Sequence, residues 1–218
     1  IFISFTALLS AQRQQQAPAN PELFLTTVNP AGSPMIAASL TNISNNPGYD
    51  SQPGFLPDGS AVLFSSTRGA TVYDVYKYDI ASKTLVQLTS TADWENSPTV
   101  TPDKKSFSAI RSEVPTGAEN QRLWRYNLDG SNPSVVLPNL RRIGYHVWVD
   151  ATHVVVYVLA AAQGEPNTLQ YVAVATGQAQ VIDQQVGRSL LLRPRTGTVT
   201  YVSQPRGEKA VVKEFDPK

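Results

Sequence analysis

The chain has 218 residues, of which 41% are hydrophobic and 16% charged, and a formal net charge of +1. That apolar content is enough for a packed core, while the near-zero charge and the lack of a Lys/Arg stripe argue against nucleic acid as a partner. With no cysteine in the chain, disulfides, thiolate metal sites, a cysteine nucleophile and a lipidated-cysteine anchor are excluded.

The first eleven residues, Ile1 to Ala11, are apolar but too short to span a bilayer. A polar tract, residues 12–20, follows. The pair reads as the apolar region and cleavage site of a secretory signal peptide, giving a signal-peptide remnant over residues 1–11 and a flexible leader over 12–20; a buried first strand is the alternative. No later segment is long and apolar enough to be a membrane helix.

From residue 21 onward the chain repeats itself. Glu22-Leu23-Phe24-Leu25-Thr26-Thr27 and the segment ending Ser39-Leu40-Thr41-Asn42 read as two strands of a partial unit. Then Ser51-Gln52-Pro53-Gly54-Phe55-Leu56-Pro57-Asp58-Gly59 recurs as Asn96-Ser97-Pro98-Thr99-Val100-Thr101-Pro102-Asp103-Lys104, a period of roughly 45 residues that signifies four-stranded propeller blades. In each unit a short inner strand meets a tight turn. Pro57, Asp58 and Gly59 build that turn in one unit, Pro102 and Asp103 in the next, and Pro194 in the last. Proline presets φ, aspartate caps backbone amides and glycine supplies positive φ.

An apolar strand follows each turn (residues 61–66, 106–110, 153–159 and 198–203). Next comes an aromatic-rich strand, such as Tyr73-Asp74-Val75-Tyr76-Lys77-Tyr78-Asp79 or Leu123-Trp124-Arg125-Tyr126-Asn127, and then an alternating outer strand such as Thr84-Leu85-Val86-Gln87-Leu88-Thr89. In the later units the inner strands read as beginning at His146 and Ser189. The chain thus reads as all-β, a β-propeller over residues 21–218 with a partial blade (21–42), blades 49–91, 94–137 and 142–183, and an incomplete blade 187–218. Open arcs expose sheet edges, so the expectation is a partial ring from a roughly six-bladed parent; a small four-to-five-bladed ring closed by the N-terminal strands is the alternative.

The string Pro53-Gly54-Phe55-Leu56-Pro57-Asp58-Gly59, followed by Val62-Leu63-Phe64-Ser65-Ser66-Thr67-Arg68, Val75-Tyr76-Lys77-Tyr78-Asp79 and Gln87-Leu88-Thr89, resembles the PD40, or TolB-like, propeller repeat. The match is close in this unit and good in the next, where Lys104 replaces the glycine, and it is weak in the last two. The resemblance implies the fold and is permissive for function. Similar families include the periplasmic propeller of the Tol envelope system, secreted bacterial propellers, and the propellers of prolyl-oligopeptidase-like enzymes.

Catalytic motifs are sparse. A serine hydrolase requires Gly-x-Ser-x-Gly with an acid and a histidine following. The nearest string, Gly187-Arg188-Ser189-Leu190-Leu191, lacks the last glycine, and both histidines, His146 and His153, precede it. These histidines fall on different predicted strands without clustered carboxylates, a poor metal site. No catalytic residue, metal or cofactor is expected.

What remains is a rim, where loops approach the inner strands. Aligning the repeats brings Tyr49, Asp50, Trp94, Glu95, Arg142, Tyr145, His146 and Arg188 there. Aromatic and arginine side chains suit an interface hot spot, although Tyr49 and Trp94 serve equally well as packing between blades. The expectation is a non-enzymatic secreted or periplasmic propeller that binds a protein or peptide at this rim. The alternative is the gating module of a prolyl-oligopeptidase-like hydrolase.

Overall fold

The computed structural model describes residues 20–27, 40–68, 71–205 and 207–218; of Arg188 it describes the backbone alone. The signal-peptide and leader segments lie outside the described residues except for Asn20, as does the first part of the second predicted strand, residues 36–39.

Strands run up and down in sequence order, every pair antiparallel. β1 (Phe24–Thr26) and β2 (Leu40–Asn42) form a two-stranded sheet. Blade 1 is β3 (Asp50–Phe55), β4 (Ala61–Ser66), β5 (Asp74–Asp79) and β6 (Leu85–Gln87). Blade 2 is β7 (Trp94–Val100), β8 (Ser106–Ser112), β9 (Gln121–Asn127) and β10 (Ser134–Val135). Blade 3 is β11 (Ile143–Trp148), β12 (His153–Val158), β13 (Thr168–Ala173) and β14 (Ala179–Gln184). Blade 4 has β15 (Val186–Leu192), β16 (Val199–Ser203) and β17 (Val211–Phe215). The fold is a β-propeller of four-stranded antiparallel blades. The inner strands β11 and β15 each start three residues earlier than the sequence suggests.

The repeated turns explain the tight link between the first two strands of each blade. Asp58 Oδ1 accepts from Ser60 N (3.0 Å) and Ser60 Oγ (2.7 Å), while Gly59 takes φ +73°. Asp103 Oδ1 repeats this with Lys105 N (3.0 Å) and Thr101 Oγ1 (2.6 Å), and Lys104 adopts the left-handed φ of +59° that glycine holds one blade earlier. Asp150 Oδ1 does the same in blade 3 with Thr152 N (2.6 Å) and His153 N (2.8 Å). In blade 4, Pro194 precedes a turn with Gly197 at φ +73°.

Because side chains alternate along a strand, the second strand of a blade feeds two cores. Val62 and Phe64 point to one side of β4 and pack with Ile43, Tyr76 and Tyr78 beneath the two-stranded sheet. Leu63 points to the other side and joins Val75, Phe107, Ala109 and Tyr126 between blades 1 and 2. Ile110, Leu123, Leu137, Ile143, Val154 and Val156 lie between blades 2 and 3. Val155, Tyr157, Leu169, Val186, Val199 and Tyr201 lie between blades 3 and 4. Each such fully buried aliphatic side chain contributes about 1.5–3 kcal/mol relative to exposure.

Two further contacts fix the spacing of blades 1 and 2. β3 and β7 carry matching bulges, with Gln52 at φ +58° and Ser97 at φ +55°. Gln52 Oε1 accepts from Ser97 N (2.7 Å), tying one inner strand to the next. Farther out, Gly130 in the β9–β10 turn (φ +86°) sits so close to Leu88 that a Cβ there would overlap the Leu88 carbonyl. Gly59 has a similar φ but open space around it. Gly130→Ala is therefore expected to destabilise the fold by about 2 kcal/mol or more and Gly59→Ala by about 1 kcal/mol, the cost of left-handed φ alone. Denaturant midpoints of the two variants check this, and equal losses would contradict the close approach.

Candidate functional site

The sequence-predicted rim residues fall into three environments. Tyr49 and Trp94 meet in the seam between blades 1 and 2, bridged by Tyr73. The Tyr49 and Tyr73 rings lie 4.9 Å apart at 57°, and the Tyr73 and Trp94 rings 4.8 Å apart at 89°. Such tilted and edge-on pairs contribute beyond their buried area. Tyr73 was not singled out by the sequence because its position at the start of an aromatic-rich strand looks like routine pleat filling.

Asp50 and Glu95 are wholly buried, one residue further along the same two strands. They occupy a single position of the repeat. Asp50 pairs with Ser66 and Glu95 with Arg111, whereas Ile143 pairs with Val158 and Val186 with Ser203 at that position in blades 3 and 4. Carboxylates thus stand in blades 1 and 2 where aliphatic side chains stand in blades 3 and 4. Asn46 Nδ2 donates to Asp50 Oδ2 (3.2 Å). Thr91 Oγ1 donates to Glu95 Oε1 (2.8 Å), and Arg111 Nε lies 3.7 Å from the same oxygen. The Arg111 guanidinium is already held by Asp93 at 2.6 Å and lies over the Trp124 ring at 4.6 Å. Glu95 Oε2 has no hydrogen-bond partner among the described residues.

Arg142, Tyr145 and His146 belong to β11 and the residue before it. Arg142 is half-buried, adopts φ +64°, and donates from Nη1 to the Ala160 carbonyl (3.2 Å). Tyr145 is half-buried, its ring 5.8 Å from that of Tyr157. It lines two cavities: one of about 360 Å3 among the inner strands, with Gln52, Pro98, His146 and Leu190, and one of about 240 Å3 with Asn96, Gln121 and Tyr157. The first is the central channel of the propeller, since β3, β7, β11 and β15 all contribute to it. The Arg188 backbone lies within β15, and its side chain is outside the described residues.

His146 faces the core more than the channel. Its Nε2 lies 2.7 Å from Ser108 Oγ, which also accepts from Trp148 Nε1 (2.9 Å) and lies 3.2 Å from the Thr99 carbonyl. A hydroxyl has one proton. Directed to Thr99, it leaves His146 donating from Nε2. Burial lowers the His146 pKa to about 3, so the ring stays neutral. Ser108 is fully buried, so this serine–histidine pair is closed to substrate and works as a framework joining blades 2 and 3. The sequence could not reveal it, because Ser108 and His146 come from different blades.

His153 stacks on Tyr171 (4.8 Å, 12°) with Asp150 3.4 Å from Nδ1. Among the described residues no group of three His, Cys, Asp or Glu side chains is arranged to hold a metal ion. No helix among them is long and apolar enough to cross a membrane.

Burial pushes the Glu95 pKa up to about 7; the Asp74 and Asp93 charges add to the rise, and Thr91 and Arg111 oppose it. A carboxyl whose folded pKa exceeds its unfolded value binds its proton more tightly when folded. Its relative contribution to stability is therefore complete below about pH 4.5 and is lost as pH rises through about 7. Comparing the unfolding free energies of the wild type and Glu95→Gln across that window cancels the other titrating groups. The wild type is expected to lose roughly 3 kcal/mol relative to the variant, and parallel pH profiles would contradict the burial of this carboxyl.

Neither a protein-family model nor a curated protein matches the sequence. Solved structures do match the fold. TolB from Acinetobacter baumannii superposes with a TM-score of 0.65 at 15% identity, over 81% of this chain and 43% of that one. A putative TolB from Agrobacterium tumefaciens gives 0.55 at 20% identity, over 66% and 52%. A puromycin-hydrolyzing peptidase from Mycobacterium tuberculosis gives 0.57 at 13% identity, over 79% and 31%. The chain spans about half or less of the length of these proteins. With its repeated turns, its up-and-down blades and these structural likenesses, the chain has the β-propeller fold of TolB.

Proposed function

We propose that this chain is a secreted or periplasmic propeller that binds a protein or peptide, without catalysis, at the mouth of its central channel. The observation that carries this reading is Tyr145, a half-buried aromatic ring that lines two cavities, one of them the channel; Arg142, three residues earlier, has its guanidinium anchored to the Ala160 carbonyl and is proposed to act with it. A large ring and an arginine on a rigid strand are what an interface hot spot needs, each worth about 2 kcal/mol or more when truncated. Arg188 belongs to the matching part of β15 and is proposed as a third contact. Tyr49, Trp94, Asp50, Glu95 and His146 support this surface from within. The sealed Ser108–His146 pair favours binding over hydrolysis. The apolar segment of residues 1–11 and the resemblance to an envelope propeller support an extracytoplasmic location.

A second reading, the gating propeller of a serine peptidase, is favoured by the similarity to the puromycin-hydrolyzing peptidase. A Gly-x-Ser-x-Gly elbow followed by an acid and a histidine in the same reading frame would select it.

The rim is tested with an Arg142→Ala/Tyr145→Ala/Arg188→Ala variant whose melting temperature is first shown to match the wild type. The immobilised wild type is expected to retain a discrete partner from an envelope extract, and the variant to lose it by at least about a hundredfold in affinity. Undiminished retention by the variant would remove this rim from the account.

A further inference from the structure

A second opening lies away from the channel, in the wedge between blades 3 and 4. It is a cleft of about 700 Å3 lined by Tyr157, Glu165, Asn167, Gln185, Gly187 and Gln204. Three carboxamides stand side by side in it. Asn167 immediately precedes β13, Gln185 is the single residue between β14 and β15, and Gln204 follows β16. Their main chains are laced together: Gln185 N donates to Asn167 O (2.9 Å) and Gln204 N to Gln185 O (2.8 Å). The three side chains therefore start from neighbouring strands, ~4.8 Å apart, across the junction of two blades.

Their supports are rigid. Asn167 Oδ1 accepts from Ala160 N (2.9 Å), which fixes the amide plane and leaves Nδ2 as its donor. Glu165 Oε2 accepts from Ala162 N (3.1 Å). Gln185 takes φ +56°, a conformation that non-glycine residues adopt at a cost and that concentrates at ligand sites. Tyr157, itself buried in the core between blades 3 and 4, borders both this cleft and the smaller cavity beside Tyr145.

A carboxamide offers a donor and an acceptor in one plane with no net charge. A row of them suits a ligand whose groups also donate and accept at close spacing, namely the neighbouring hydroxyls of a sugar. The Glu165 carboxylate disfavours an acidic ligand. A peptide main chain recognised as an added strand needs its partner residues on a free strand edge, whereas Asn167, Gln185 and Gln204 all lie just outside the strands, at their ends. We propose that the cleft between blades 3 and 4 binds an uncharged oligosaccharide through Asn167, Gln185 and Gln204.

Isothermal calorimetry of the 218-residue chain against four probes tests this: maltotetraose, chitotetraose, tetragalacturonate and an uncharged octapeptide. At least one neutral sugar is expected to bind. Asn167→Asp, which keeps the acceptor for Ala160 and removes the donor, should weaken that binding at least about tenfold, as should Gln204→Ala, equivalent to one lost hydrogen bond each. Melting temperatures serve as the check on folding, and Asn167→Asp retains the loop contact should Gln204→Ala melt early. The proposal is overturned if no neutral tetrasaccharide binds at millimolar concentration, if both variants bind as the wild type does, or if only tetragalacturonate or the octapeptide binds. None of these results depends on partner capture at the channel mouth.

Discussion

Each blade carries apolar side chains on both faces of its second strand, and only the adjoining blades can cover them. Leu63 and Phe64 are sequence neighbours in β4, yet they belong to different cores. Val154 and Val155 in β12 are likewise divided between the blade 2–3 and blade 3–4 clusters. A blade by itself would leave both of these faces in water, so stability resides in the seams. The positions of all the polar groups follow from this. Groups near the middle of a seam must be paired inside it, and groups free to meet a ligand are driven to the channel mouth or to the wedge where two blades diverge.

The repeat position shared by Asp50, Glu95, Ile143 and Val186 shows the seam rule and its exceptions. In blades 3 and 4 the position is aliphatic and opposes Val158 or Ser203. In blades 1 and 2 it is a carboxylate, and each carboxylate recruits partners from loops and neighbouring strands: Asn46 for Asp50, and Thr91 and Arg111 for Glu95. A buried, partly satisfied ionic cluster is weak evidence of stability. Burial makes Glu95 hold its proton more tightly than an exposed glutamate would, and Thr91 and Arg111 offset this only in part. The same division of labour appears in His146, which shares the inner strand with Tyr145 but is neutral and buried against Ser108 and Trp148.

Much of the fold was legible in the sequence because its determinants are local. The Pro-Asp-Gly turns and the apolar run of residues 61–66 mark blade 1, and the same signals mark blade 2. For the inner strands β11 and β15 the sequence suggests later starts, at His146 and Ser189, than the observed Ile143 and Val186. Ile143-Gly144 and Val186-Gly187 place a glycine two residues after the left-handed residues Arg142 and Gln185, which imitates a loop although the strand has already begun. The rim was less legible. Asp50 and Glu95 sit between half-buried neighbours, and the bulges at Gln52 and Ser97 shift the register downstream of them, so alternation counted from the proline turn does not reveal which way they point. Tyr73, Ser108 and the carboxamides of the wedge become visible only when separate blades are brought together, and no spacing within one repeat encodes that.

If stability resides in seams, blades should open in concert with their neighbours rather than as independent hairpin units. Native-state hydrogen exchange followed strand by strand measures this. The amides of β4, β8 and β12, whose side chains feed cores on both sides, are expected to exchange slowest and with a common opening free energy, while β1, β2 and β17 exchange earlier. Separate opening free energies for each blade, or protection in β17 equal to that in β8, would contradict the shared-seam organisation of this propeller.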